Sequence, residues 1–160
     1  MFSDDTAVLG LPSFLVVSII VTAAVLSVFS ISVYHLILDS EYDVTCSEID
    51  LIISEAENMY EYANEGTLKT MQVEFPSSLK FAVFGGLPKN GNSEPEDLTL
   101  DENTSNNYYF VTTDGSFSGH SNVFFSGYET DQIAVLHYGA YDVNLELVKD
   151  ENGKTYVKIY

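Results

Sequence analysis

Residues 14–38 read FLVVSIIVTAAVLSVFSISVYHLIL and contain no charged side chain. A helix over this run rises ~1.5 Å per residue and spans about 37 Å, more than the ~30 Å hydrocarbon core of a bilayer. Pro12 and Ser13 precede it, where proline suits the first turn of a helix. The run is apolar on every side. It also carries small residues, Ser18, Thr22, Ala23, Ala24, Ser27, Ser30 and Ser32, of which Ser18/Thr22 and Ala23/Ser27 are four apart. Small residues at that spacing let helices approach closely. Either they are tolerated in a lone anchor, or the helix packs against copies of itself.

The period then changes. DSEYDVTC, residues 39–46, is acidic and poor in helix formers, so a kink or a short unwound link is expected there. SEIDLIISEAENMYEYANEG, residues 47–66, restarts a helix, with Ser47 and Asp50 spaced like a capping box. Ile49, Ile52, Ile53, Ala56, Met59, Tyr60 and Ala63 form an apolar stripe, and Glu48, Glu55, Asn58, Glu61 and Glu65 take the other face. Gly66 is the expected stop.

From Thr67 the pattern has period two. TMQVEF, LKFAVFG, NNYYFVTT, NVFFSGY, QIAVLHYG, YDVNLELV and TYVKIY read as strands. FPSS, GGLPKNGNSEPED, DGSFSG and DENGK read as turns or loops, the last a hairpin connection through Asn152-Gly153. The class is α+β. A long N-terminal apolar helix continues into an amphipathic one, and a small antiparallel β-sandwich or barrel-like domain follows. The expected division is residues 1–66, helical, and residues 67–160, an extracellular β-domain.

Charge narrows the partners. The net charge is −18, there is no Arg, and the first basic residue is Lys69. Such a chain cannot neutralise nucleic-acid phosphates, and it is repelled by anionic headgroups. The acidic excess suits a surface bathed in salt or divalent cations, where self-repulsion is screened. With a single cysteine, Cys46, no intrachain disulfide is possible.

Candidate chemistry is sparse. His35, His120, His137 and Cys46 share no metal-ligand spacing, and no nucleophile elbow, P-loop or dinucleotide fingerprint occurs. No metal site, cofactor or enzymatic activity is expected. Glu94, Glu96, Asp97, Asp101 and Glu102 crowd one loop without EF-hand spacing, leaving a solvated face or a calcium site open. Asn103-Thr104-Ser105 is a sequon, which makes Asn103 the glycosylation candidate. Tyr108, Tyr109, Tyr128, Tyr138, Tyr141, Tyr156 and Tyr160 lie on or beside the expected strands. Most should pack in the core or across strands, with exposed ones free for subunit contacts or glycan stacking.

The stretch FSDDTAVLGLPSFLVVSIIVTAAVL, residues 2–26, combines an SDDxAV acidic cluster, a proline and an unbroken apolar run. It resembles the entry to the helix of archaeal type IV pilin-like proteins, members of the type IV filament superfamily that carry class III signal peptides. The resemblance covers about the first 38 residues, and the rest only in architecture. It implies that a membrane peptidase removes a short basic leader, which would account for the missing positive flank. Met1 is then either the mature start or the initiator. Bacterial-type pilins begin their apolar run at the first mature residue and carry glutamate at the fifth. Here the run begins near residue 11, and Asp4 or Asp5 would offset a neighbour's terminal amine.

The resemblance further implies that the helices sit in the membrane before assembly and then bundle into an extracellular filament core with the β-domains outside. The residues expected to carry polymerisation are Phe14, Ser18, Thr22, Ala23, Ser27, Phe29, Ser30 and Tyr34. The expected partners are copies of the same chain and the membrane before assembly, with a host surface or other cells as adhesion targets. A single-span membrane-anchored surface protein displaying a β-sandwich binding domain is the alternative.

Overall fold

The structure, a computed structural model, describes the backbone of residues 6–88, 95 and 98–160, and side chains from residue 13 onward within those ranges. One helix, α1, runs Thr6–Tyr62. Eight strands follow: β1 Leu68–Phe75, β2 Leu79–Phe84, β3 Asn107–Thr112, β4 Ser116–His120, β5 Phe125–Ser126, β6 Ala134–Leu136, β7 Gly139–Lys149 and β8 Thr155–Ile159. The chain divides into two compact units, Met1–Asp39 and Ser40–Tyr160.

The expected break after Leu38 is absent, and Ser47 lies inside the helix rather than capping a new one. Residues 39–46 contain neither Gly nor Pro, so their weak propensity costs only tenths of a kcal/mol per residue. Local contacts outweigh that cost. Thr45 is fully buried and its hydroxyl donates to the Glu41 carbonyl at 2.9 Å. Tyr42 packs against Phe110 of β3 with ring centroids 5.9 Å apart. The helix ends at Tyr62, and Gly66 turns the chain at φ +83° four residues later.

The strands form two four-stranded sheets, ordered β1-β7-β8-β5 and β4-β3-β2-β6. Pairing is antiparallel except for the two-residue β5, which lies parallel to β8, so the first sheet is mixed and the second purely antiparallel. Both sheets and the helix share one core. Ile49, Ile52, Ala56 and Met59 of α1 meet Phe75 of β1, Phe84 of β2, Phe110 of β3 and Leu145 of β7 there. These helical positions are the stripe expected from the spacing, and Ile53, Tyr60 and Ala63 pack at its margin. Strand β2 is buried on both faces. Ala82 and Phe84 point into the main core, while Phe81 and Val83 join Tyr109, Val111 and Ile133 in a second, smaller one.

β4 was expected to be a loop, because DGSFSG is polar and glycine-rich. It is an edge strand whose register is fixed by β3, with Tyr108 opposite Gly119. A Cβ at Gly119 would come within 2.5 Å of the Tyr108 hydroxyl, so glycine permits the ring to lie across the strand. The β7–β8 hairpin forms where Asn152-Gly153 predicts it. Gly153 takes φ +81°, and the Asp150 carboxylate accepts the backbone N–H groups of Asn152 and Lys154 at 2.9 and 2.8 Å.

Candidate functional site: an uncovered apolar helix

Residues 13–37 of α1 include no buried residue. Phe14 is 71% exposed, Ile19 67%, Phe29 65% and Leu36 68%. By length and composition this is a helix able to cross a membrane. Apolar side chains on every face leave no polar side to turn toward water. Such a segment is stable only in lipid or against other apolar surface.

The hydroxyls do not contradict this. Thr22 Oγ1 donates to the Ser18 carbonyl at 2.8 Å, Ser27 to Ala23 at 2.8 Å, Ser30 to Leu26 at 2.8 Å and Ser32 to Val28 at 3.1 Å. Each is satisfied one turn back within its own helix, so a polar group facing hydrocarbon carries little penalty. The residues expected for polymerisation all lie on this helix. Phe14, Thr22, Ala23, Ser27, Phe29, Ser30 and Tyr34 are exposed and Ser18 is half-buried. Asp4 and Asp5 lie outside the described residues.

The second half of α1 is held differently. Lys69 of β1 pairs with Glu55 at 2.6 Å. Glu57 accepts the Ser121 hydroxyl at 2.7 Å. Glu48 and Glu55, expected on the solvent face, are half-buried. Cys46 is also half-buried and hydrogen-bonded to Tyr42, and burial pushes its thiol up, away from the reactive thiolate.

The other candidates are scattered. Among the described residues no group of three or more His, Cys, Asp or Glu is placed to hold a metal ion. Glu94, Glu96 and Asp97 lie outside the described residues, while Asp101 and Glu102 are exposed. His120 is exposed on β4 and His35 on α1. His137 Nδ1 lies 3.0 Å from the Lys80 carbonyl, and the Tyr141 hydroxyl donates to the His137 carbonyl at 2.8 Å. Asn103 is exposed, its backbone N–H bonded to the Asp101 carboxylate at 3.0 Å. Ser105, the third residue of the sequon, is fully buried and donates to the Glu102 carbonyl.

The tyrosines divide. Tyr109 and Tyr156 are buried, Tyr108 and Tyr141 half-buried, and Tyr128, Tyr138 and Tyr160 exposed. Burial raises the phenols of Tyr109 and Tyr141, and that of Tyr108 with help from the nearby Asp50 charge. Sequence reasoning passed over Tyr109 as one strand tyrosine among several. Its Oη is buried with no hydrogen-bond partner. Alternation on β3 gives its burial but cannot give a missing partner.

In comparisons with known proteins, no family model, no curated protein and no solved structure matches the chain.

Proposed function

We propose that this chain is a structural subunit of an extracellular type IV pilus-like filament, polymerising through residues 14–38 and serving surface adhesion. The observation that carries the reading is the pairing of an uncovered, uncharged helical run with a folded, acidic domain whose two sheets share a core with the second half of the helix. Each Val, Leu, Ile or Phe moved from water into a helical bundle contributes about 1.5–3 kcal/mol. More than a dozen such side chains are exposed between Phe14 and Ile37. Copies packed through them would form a durable polymer, with acidic domains outside keeping filaments apart at low salt and letting them approach at high salt. The subunit acts without catalysis, and no cofactor enters this role.

A single-span surface protein is the second reading. The hydroxyls bonded to their own helix favour it, because they let one copy sit in lipid unaccompanied. Electron microscopy of material sheared from producing cells, with peptide mass spectrometry on the same fraction, separates the two. Thin filaments that yield these peptides, including the apolar helix, support the pilin. Peptides confined to membranes, with no filaments, overturn it in favour of the anchor.

A further inference from the structure

Asn103-Thr104-Ser105 meets the N-glycosylation pattern, and the fold treats its two ends oppositely. The Thr104 N–H donates to the Asp101 carbonyl at 2.9 Å, and the Asn107 N–H to the Thr104 carbonyl at 2.8 Å. Two turns therefore follow one another just before β3. Asn103 lies on the first and is exposed. Its Nδ2 donates to Asp101 Oδ1 at 3.3 Å. An amide nitrogen that carries a sugar keeps one hydrogen, so this bond survives modification. The position accepts a bulky group without displacing the core.

Ser105 is the reverse. It has no exposed surface. Its hydroxyl donates to the Glu102 carbonyl at 3.1 Å and accepts from Lys154 Nζ at 3.2 Å. Its carbonyl accepts the Phe125 N–H at 2.7 Å. Lys154 lies over the Phe124 ring, 4.0 Å from its centroid. Ser105 is thus clamped between β5 and the β7–β8 connection. A sequon is defined by its third residue as much as by its asparagine, so the enzyme that modifies it has to reach that hydroxyl. In the folded chain the asparagine is presented and the hydroxyl is withheld.

We propose that Asn103 is an N-glycosylation site filled before residues 101–105 fold, and that folding then closes it to further transfer. In the step, Asn103 Nδ2 bonds to the anomeric carbon of a sugar held on a polyprenyl phosphate. The carbon–oxygen bond to phosphate breaks, its electron pair stays on the phosphate, and the amide gives up one proton. The donor and its transferase belong to the membrane of the producing cell. Chain order supports the timing. Phe125 and Lys154 both follow Ser105, Lys154 by 49 residues, so the clamp closes only after they have emerged. The inference rests on the β-domain leaving the cytoplasm, which the filament and anchor readings share, and not on which of the two holds.

Mass spectrometry of peptides spanning Asn103, from both the sheared and the membrane fractions of producing cells, reads occupancy. At least one sugar unit on Asn103 is expected. It should be lost in Asn103→Gln, which leaves Ser105 and its bonds in place. An unmodified Asn103 in every fraction that holds the chain overturns the proposal and leaves the filament reading as it was. A second measurement reads the timing. Unmodified full chain, made in a host without N-glycosylation and kept folded in detergent, is incubated with membranes of the producing cells beside a synthetic peptide of residues 99–109. The peptide should gain sugar at least about tenfold faster than the folded chain, whose turn has to open first. Ser105→Ala in the peptide should abolish transfer. Equal rates in peptide and folded chain, undiminished transfer to the Ser105→Ala peptide, or no transfer to the parent peptide each overturn the proposal.

Discussion

Residues 13–37 and 40–62 are both helical, yet their side chains meet opposite fates. In the first stretch Ile19, Leu26 and Phe29 stand exposed. In the second Ile49, Ile52, Ala56 and Met59 are buried against two sheets. Backbone hydrogen bonding treats both alike. The difference lies in the spacing of polar residues. A stripe with charges on its far side can be covered by one domain and left wet on the other side. A run with no polar face has to be covered all round, and the structure offers nothing within residues 13–37 that buries it. Its cover must come from lipid or from other chains.

The largest effect expected on this contrast comes from the covered half and its partners. Phe84→Ala empties a fully buried position in the main core and should cost about 3–5 kcal/mol. Urea unfolding of the chain in detergent reads it as a lower midpoint. Phe29→Ala, of the same chemistry but 65% exposed, should leave that midpoint within about 0.5 kcal/mol. Equal losses at the two sites would erase the distinction.

Next comes a charge in the uncovered half. Ala24→Lys, near the middle of the run, should disfavour membrane insertion by about 2.5–3.5 kcal/mol. The measurement is the fraction of chain recovered with membranes. The tryptic resistance of the β-domain should not change.

Alkaline pH probes the covered unit alone. Burial raises the phenols of Tyr108, Tyr109 and Tyr141 above their ordinary value. Between the unfolded value, about 10, and the raised native values the folded chain holds more protons than the unfolded one. Stability is therefore complete below about pH 10 and declines as pH climbs through the native values. Unfolding midpoints taken across that range should fall, and Tyr109→Phe should flatten the decline. A flat profile in the parent protein would show that these phenols titrate alike in the folded and unfolded chain, against the raised native values.

The smallest effect concerns the tether between the second half of α1 and β1. Lys69 is half exposed in its pair with Glu55, so Lys69→Ala should cost at most about 1 kcal/mol. High salt should abolish the difference between the two proteins.

Much of this contrast was legible in the spacing of residues. The uncharged run, the apolar stripe from Ile49 to Met59 and the hairpin at Asn152-Gly153 all follow from local patterns. Three features did not. The helix continues through residues 39–46 because Thr45 and Tyr42 gain burial and a ring contact that local propensity cannot register. β4 is a strand because its backbone pairs with β3, although only Phe117 among its residues carries strand-like apolar character. The parallel β5–β8 pair joins segments far apart in sequence. In the candidate sites, the uncovered helix was visible from composition alone. The unpartnered hydroxyl of Tyr109 was not, since it depends on what packs around the ring rather than on alternation along β3.

The most direct test of the central claim places single cysteines in a Cys46→Ser background and exposes intact cells to a membrane-impermeant maleimide. Val21→Cys and Phe29→Cys report on the uncovered half, Leu51→Cys and Tyr62→Cys on the outer side of the covered half. All four positions are open to solvent in the isolated chain. The account predicts rapid labelling at positions 51 and 62 and protection at 21 and 29, where lipid or neighbouring helices supply the missing cover. Equal labelling at all four would contradict it, because the apolar helix would then stand in water.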